Sequence, residues 1–168
     1  VNYILPPGIE RGADPNQPQM VENNEQALSL VVDNLSQGEA KAVYKNTTID
    51  LRQYRRLQMF VHANAFAQNA TALTDNELAV FVRLGSDYRN NYYEYQIPLH
   101  LTPAGRYHLN VPADRQAVWP IENMLDIPLS VFTDLKRQRN IAKAQGLASF
   151  TSAYSDYDAA NPSNLRTI

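Results

Sequence analysis

The chain has 168 residues, of which 44% are hydrophobic and 19% charged, which suits one domain with a core and excludes a disordered or coiled-coil protein. Its net charge of −2 excludes the basic surface of a nucleic-acid-binding protein. The longest apolar run, Leu78 to Val82, is far shorter than the ~20 residues of a membrane span. Without cysteine the chain has no disulfide, thiol nucleophile or thiolate metal site. We therefore expect a single domain over residues 1–168, with no nucleic-acid partner and no membrane span.

The predicted elements begin with an arm over residues 1–20, whose four prolines exclude a helix. Between about residues 27 and 111, apolar and polar residues alternate in five runs separated by Gly- and Asn-rich turns. Such runs are typical of an antiparallel β-sandwich with a mainly β fold. The apolar phase predicts a core made of Leu30, Val32, Leu57, Met59, Val61, Val80, Val82, Tyr95, Ile97 and Leu99.

A hairpin is predicted around the turn at 102–105, with a bulge at Gly105 so that its apolar residues share one face. This register places His100 opposite His108 on the outer face. Two imidazoles could bind a metal ion, but no third ligand is identifiable, so we predict no metal site. Pro98 removes one backbone donor, which predicts an edge or a bulge in its strand.

One short helix is predicted over about residues 128–140, capped by Asp126 and closed by Asn140. Residues 146–168 are rich in Ser, Thr, Ala and Asn, which predicts a loop-rich tail pinned by a few aromatic side chains. Leu165 to Ile168 resembles the start of a strand that continues further. We therefore expect an open sheet edge there, through which the chain self-associates.

Motifs for catalysis are absent, and Glu94, the best-placed carboxylate, lacks a second one at a predictable distance. We predict no enzyme, no catalytic residue and no cofactor. The oxygens of Ser86, Asp87, Asn90 and Asn91 leave a weaker alternative, a structural calcium ion, beside the reading as an ordinary polar turn.

The aromatic residues indicate a candidate interaction face on the polar side of the strands, where two phenylalanines occur among polar residues. Its members are Phe60, His62, Phe81, Arg83, Tyr92, Glu94 and Gln96. Either another part of the chain covers Phe60 and Phe81, or they form a docking surface, or they stack on a glycan. We read Trp119, which is followed by Pro120, as a plug at a corner of the fold under the predicted helix.

Several stretches in a fixed order are similar to a soluble segment of the SprA (Sov) family of Bacteroidota. They are Tyr3–Arg11, Asn24–Gln26, Val43–Asn46, Asp50–Tyr54, Arg56–Ala63, Arg83–Tyr88, Asn91–Tyr95, Pro98–Leu99 and Trp119–Pro120. The resemblance implies that the parent is a very large outer-membrane β-barrel, the translocon of the type IX secretion system, which some members need for gliding motility. It implies no catalytic residue.

The leading hypothesis is a non-catalytic structural and interaction domain of this translocon, at the outer membrane or cell surface, with a jelly-roll fold like that of galactose-binding modules. Its expected partners are other parts of the barrel, translocon subunits and secreted cargo. The alternative is a carbohydrate-binding module that uses Tyr88 and Tyr92 as its stacking platform.

Overall fold

A computed structural model describes residues 4–12, 27–65, 73–87 and 89–147, together with the backbone of 155–157 and 165–167. The described residues contain six strands, β1 (Arg56–Met59), β2 (Ala79–Gly85), β3 (Tyr92–Pro98), β4 (Leu125–Pro128), β5 (Ser155–Tyr157) and β6 (Leu165–Thr167). They also contain two helices, α1 (Pro112–Val118) and α2 (Ser130–Ala144), and two 3₁₀ turns, Leu51–Gln53 and Ile121–Asn123. A mainly β fold built of antiparallel sheets is confirmed, whereas a jelly-roll sandwich is not.

β2 and β3, which match two of the predicted strands, form an antiparallel pair at one side of the larger sheet, whose strand order is β2-β3-β6-β5. Val80 lies opposite Ile97 and Val82 opposite Tyr95. Because side chains alternate along a strand, these four residues share one face. That face is the buried one, as predicted, since Tyr95 and Ile97 are almost inaccessible to solvent.

The smaller sheet pairs β1 with β4, a strand that the sequence analysis did not predict. Leu57 lies opposite Ile127, and Arg56 forms an ion pair with Asp126, whose Oδ1 lies 2.8 Å from the arginine Nε. Asp126 therefore lies in a strand, and its predicted role as a helix cap is wrong.

Both sheets and α2 contribute to one hydrophobic core. Its buried members are Tyr95, Ile97, Leu125, Ile127 and Phe132. Leu57, Val61, Val80 and Val82 pack against this cluster while remaining partly exposed, as does Tyr93, whose ring lies 5.3 Å from that of Phe132. Most of the predicted core is thus correctly identified, but the β4 residues were missed.

The predicted strands between residues 27 and 51 are not present. The chain divides into two compact units, one of Val1–Pro7 with Arg52–Ile168 and one of Gly8–Leu51. In the second unit Leu30 and Val32 are 56% and 45% exposed, so their assignment to the core is wrong. Alternation gives a segment the capacity to form a strand, but a strand also needs a hydrogen-bonded neighbour, and none pairs with the described residues of this stretch. Met59, 40% exposed, was also wrongly placed in the core.

The predicted hairpin after residue 98 is also wrong. The side chain of Asn123 takes up both backbone groups of His100, with Oδ1 accepting from its N–H at 2.7 Å and Nδ2 donating to its carbonyl at 2.8 Å. These bonds replace the ladder that a hairpin partner would supply. His100 Nδ1 lies 3.2 Å from Asp75 Oδ2, and Asp114 accepts from the backbone N–H of His108. Residues 99–109 form no strand, so the predicted pairing of His100 with His108 across a hairpin is wrong.

Two helices replace the single one expected. α1 begins at Pro112, in the first-turn position that suits proline. α2 confirms the predicted helix but extends beyond Asn140 to Ala144. It ends where Gly146 has φ +73°, with Leu147 N–H bonded to Ala142 O at 2.7 Å, which is a Schellman cap.

The predicted strand near the C-terminal end is confirmed as β6, but it is not an edge strand over residues 165–167. It pairs with β3 on one side and with β5 on the other. The open edge that we expected there is therefore occupied by β5, in a region predicted to be a loop. Pro98 is the last residue of β3, a strand that lies between β2 and β6, so the predicted edge position of this strand is wrong.

Candidate functional site

The seven residues predicted to form one interaction face are divided between two places. Phe60 directly follows β1 and Phe81 lies in β2, and these two strands belong to different sheets, so the two phenylalanines do not lie on neighbouring strands of one sheet. Five residues remain together on the solvent side of β2 and β3, and we call them the outer face: Phe81, Arg83, Tyr92, Glu94 and Gln96. Phe60 and His62 instead contact Trp119.

Arg83 organises the outer face. Its register partner across the strands is Glu94, and its Nε donates to the Glu94 carboxylate at 2.8 Å. The guanidinium carbon lies 3.9 Å from the centre of the Tyr92 ring and 5.2 Å from that of Phe81, distances typical of cation–π contacts. The outer face thus presents a cation held in place by one carboxylate and two rings.

The ion pair at the centre of the outer face is partly shielded from solvent. The Glu94 side chain is 13% exposed and is neutralised by Arg83, which is 30% exposed. Because Arg83 lies against one face of the Tyr92 ring, that face is not available to stack on a sugar. Tyr88, the other half of the predicted glycan platform, lies outside the described residues. Gln96 lies opposite Phe81 and adds an amide at the edge of the face.

Phe60 and His62 form part of a second cluster, centred on Trp119 at the end of α1. The indole makes edge contacts with Phe60, at 6.3 Å between ring centres, and with His62, at 5.7 Å. His62 Nδ1 lies 2.9 Å from Val118 O and 3.0 Å from Thr102 Oγ1, which fixes the imidazole against the helix end. Trp119 therefore fills a corner beside the end of α1, a helix that the sequence analysis did not predict.

The Trp119 cluster also holds the N-terminal arm. Trp119 Nε1 donates to Ile4 O at 2.8 Å, and the Arg115 guanidinium donates to Leu5 O at 3.0 Å and to Pro6 O at 2.8 Å. Arg115 was not singled out from the sequence. Proline at position 112 followed by an acidic residue two positions later would have indicated its helix.

The turn between β2 and β3 is ordered by a single carboxylate. Asp87 Oδ1 accepts backbone N–H groups of Arg89, Asn90 and Asn91, at 2.6–3.3 Å, and Oδ2 accepts from the Asn91 side chain at 2.6 Å. These bonds, led by that from Asn90, lower the pKa of Asp87 from 3.8 to about 2. The geometry is that of the ordinary polar turn considered above.

A smaller cluster joins Asp75 to the chain after β3. Asp75 Oδ1 accepts the backbone N–H of Leu101 at 2.8 Å, which lowers the pKa of this carboxyl, and His100 Nδ1 lies 3.2 Å from Oδ2. Within the described ranges no three His, Cys, Asp or Glu side chains come together as metal ligands would. In the same ranges, no helix has both the length and the apolar character needed to cross a membrane.

The chain matches the model of one protein family along its whole length. The model of the SprA_N family, described as motility related/secretion protein, matches the chain over residues 1–168. No curated protein matches it.

Proposed function

The chain belongs to the SprA_N family of motility-related and secretion proteins, and from this membership we propose that it is a non-catalytic structural and interaction domain of a large secretion machinery. The observation that carries the proposal is the match along the whole chain. Membership indicates a cell-envelope context and a role beside other components of that machinery. The finer proposal is a domain of the outer-membrane translocon for type IX secretion and gliding, contacting other parts of its parent, translocon subunits or cargo.

The outer face supplies the contact that such a domain needs. Arg83 is already held by Glu94 and Tyr92, so a partner that binds there does not have to immobilise a long side chain. Binding surfaces that are ordered in advance lose less conformational entropy on association. Arginine and tyrosine are also enriched in the parts of interfaces that contribute most to affinity.

The experiment substitutes serine for both Phe81 and Tyr92 in the full-length parent and measures protein secretion and gliding. We expect both to fail while the variant accumulates at the normal level. The matched control replaces Ile121 and Leu147, which are 71% and 77% exposed and lie off the outer face, with serine. Normal secretion by the outer-face variant would contradict the proposal, as would equal failure of the control.

A further inference from the structure

We propose that the end of α1 is a binding site for an extended, proline-containing segment of a partner polypeptide, and that the chain's own residues 4–7 occupy it in this structure. The inference is independent of the outer face and of the function proposed for it. It depends on the way in which Trp119 and Arg115 hold the arm.

The contacts are those of peptide recognition. Three consecutive carbonyl oxygens, of Ile4, Leu5 and Pro6, each accept a hydrogen bond from a side chain of the α1 end. Carbonyls are common to every polypeptide, so these bonds specify an extended backbone rather than one side chain.

Two side chains of the arm supply the selectivity. Ile4 is 7% exposed and Pro6 is buried, whereas Leu5 and Pro7 are partly exposed. The site therefore selects an apolar residue followed, two positions later, by proline. Prolines restrict φ before binding, so such a segment loses little entropy when it docks on an aromatic surface.

The indole and the end of α1 also make contacts that do not involve residues 4–7. His62 and Phe60 support the indole from their own side, and Val118 O is fixed by His62 Nδ1 and Thr102 Oγ1. After the bound residues 4–7 the chain turns at Pro7–Gly8, where Gly8 has φ +76°, a conformation suited to glycine. A covalently attached arm competes at high effective concentration, so a partner binds only when the arm is released.

The test releases the arm in the full chain by the substitution Ile4→Asp, which places a carboxylate in a buried position. The probe is a synthetic peptide with the sequence of residues 1–9, and the reporter is Trp119, the single tryptophan of the chain. We expect a saturable change in Trp119 fluorescence with the Ile4→Asp chain and none with the unaltered chain. A peptide carrying Ile4→Asp serves as the matched control and should not bind.

Arg115→Met, added to the Ile4→Asp chain, removes two of the three donors and should weaken peptide binding at least about tenfold. Absence of binding to the folded Ile4→Asp chain would overturn the proposal, as would binding that ignores Arg115→Met. If Ile4→Asp abolishes the folded circular dichroism signal, the arm is an integral part of the core and the proposal is wrong. A dimer of the unaltered chain whose Trp119 sites hold exchanged arms would also overturn it, in favour of exchange between copies.

Discussion

Arg83 and Glu94 lie directly opposite each other on β2 and β3, with 2.8 Å between the arginine Nε and the carboxylate. The pairing follows from the hairpin register, which also brings the Tyr92 ring to 3.9 Å from the guanidinium carbon. Arg83 on β2 therefore contacts both the Glu94 carboxylate and the Tyr92 ring on β3.

Replacing Arg83 with methionine keeps an unbranched apolar stem and removes both the ion pair and the cation–π contact. We expect a loss of about 1–2 kcal/mol in the free energy of unfolding, because both partners are only partly exposed to water. A double-mutant cycle with Glu94→Gln, measured by urea denaturation, should give a coupling of about 1 kcal/mol. A coupling near zero would show that the two side chains act independently.

The β2–β3 pair was predictable because its alternation is continuous and its partner strand follows after a short turn. In this strand pair, the alternation of apolar and polar residues alone predicts that the side chains of Tyr95 and Ile97 face the core. β4 could not be found in this way, because Leu125 and Ile127 belong to a four-residue strand whose partner lies about seventy residues earlier in the chain. Short apolar segments do not distinguish strand from helix by periodicity.

The candidate site was predicted in composition but not in arrangement. The alternation that predicts the core also places Arg83 and Glu94 on the opposite face of the strands, and this prediction is correct. The place of Phe60 depended on which strand pairs with β1, a non-local choice that local sequence does not determine. Arg115 was missed because the residues before it were assigned to a hairpin, which concealed the helix that begins at Pro112.

Gly85 is predicted to be intolerant of any side chain. A Cβ at this position would lie 2.2 Å from Asn91 O and 2.5 Å from Tyr92 Cα, both backbone atoms of the facing strand. Gly85→Ala should therefore force the strands apart and cost about 3 kcal/mol, as measured by thermal unfolding. Gly12→Ala, where no atom lies within 4 Å of the added carbon, is the control. Equal melting temperatures for the two variants would contradict the β2–β3 geometry.

Asn123→Ala tests the bonds that replace the predicted hairpin. Asn123 is completely buried, and its removal leaves the N–H and the carbonyl of His100 without their partner. Each of these two unsatisfied polar groups costs about 1–3 kcal/mol, so we expect a total loss of about 2–6 kcal/mol in the free energy of unfolding, measured by denaturant. Glu122→Ala, at an exposed neighbouring position, should change stability little. If Asn123→Ala lowers the free energy of unfolding by much less than this, water replaces both hydrogen bonds.

Asp87 predicts an acid-sensitive turn. Its folded pKa of about 2 lies below the ordinary value of 3.8, so folding favours the ionised form. The stability that this carboxylate contributes is present above pH 4 and disappears as the pH falls towards 2. We expect the stability difference between the unaltered chain and Asp87→Asn, measured by urea denaturation, to narrow over this interval. If the stability difference between the two chains stays constant from pH 6 to pH 2, the hydrogen bonds of the turn do not lower the pKa of Asp87.

Leu99 and Leu30 were both assigned to the core by alternation, but only Leu99 is buried, at 8% exposed against 56% for Leu30. Leu99→Ala removes a packed side chain and should cost about 2–4 kcal/mol. Leu30→Ala should change the free energy of unfolding by less than about 0.5 kcal/mol, because solvent already reaches the side chain. Thermal and urea unfolding of the two variants, made in the same chain, measure the difference. Comparable losses would place residues near Leu30 in a packed core, and would restore the strand that the alternation predicts there.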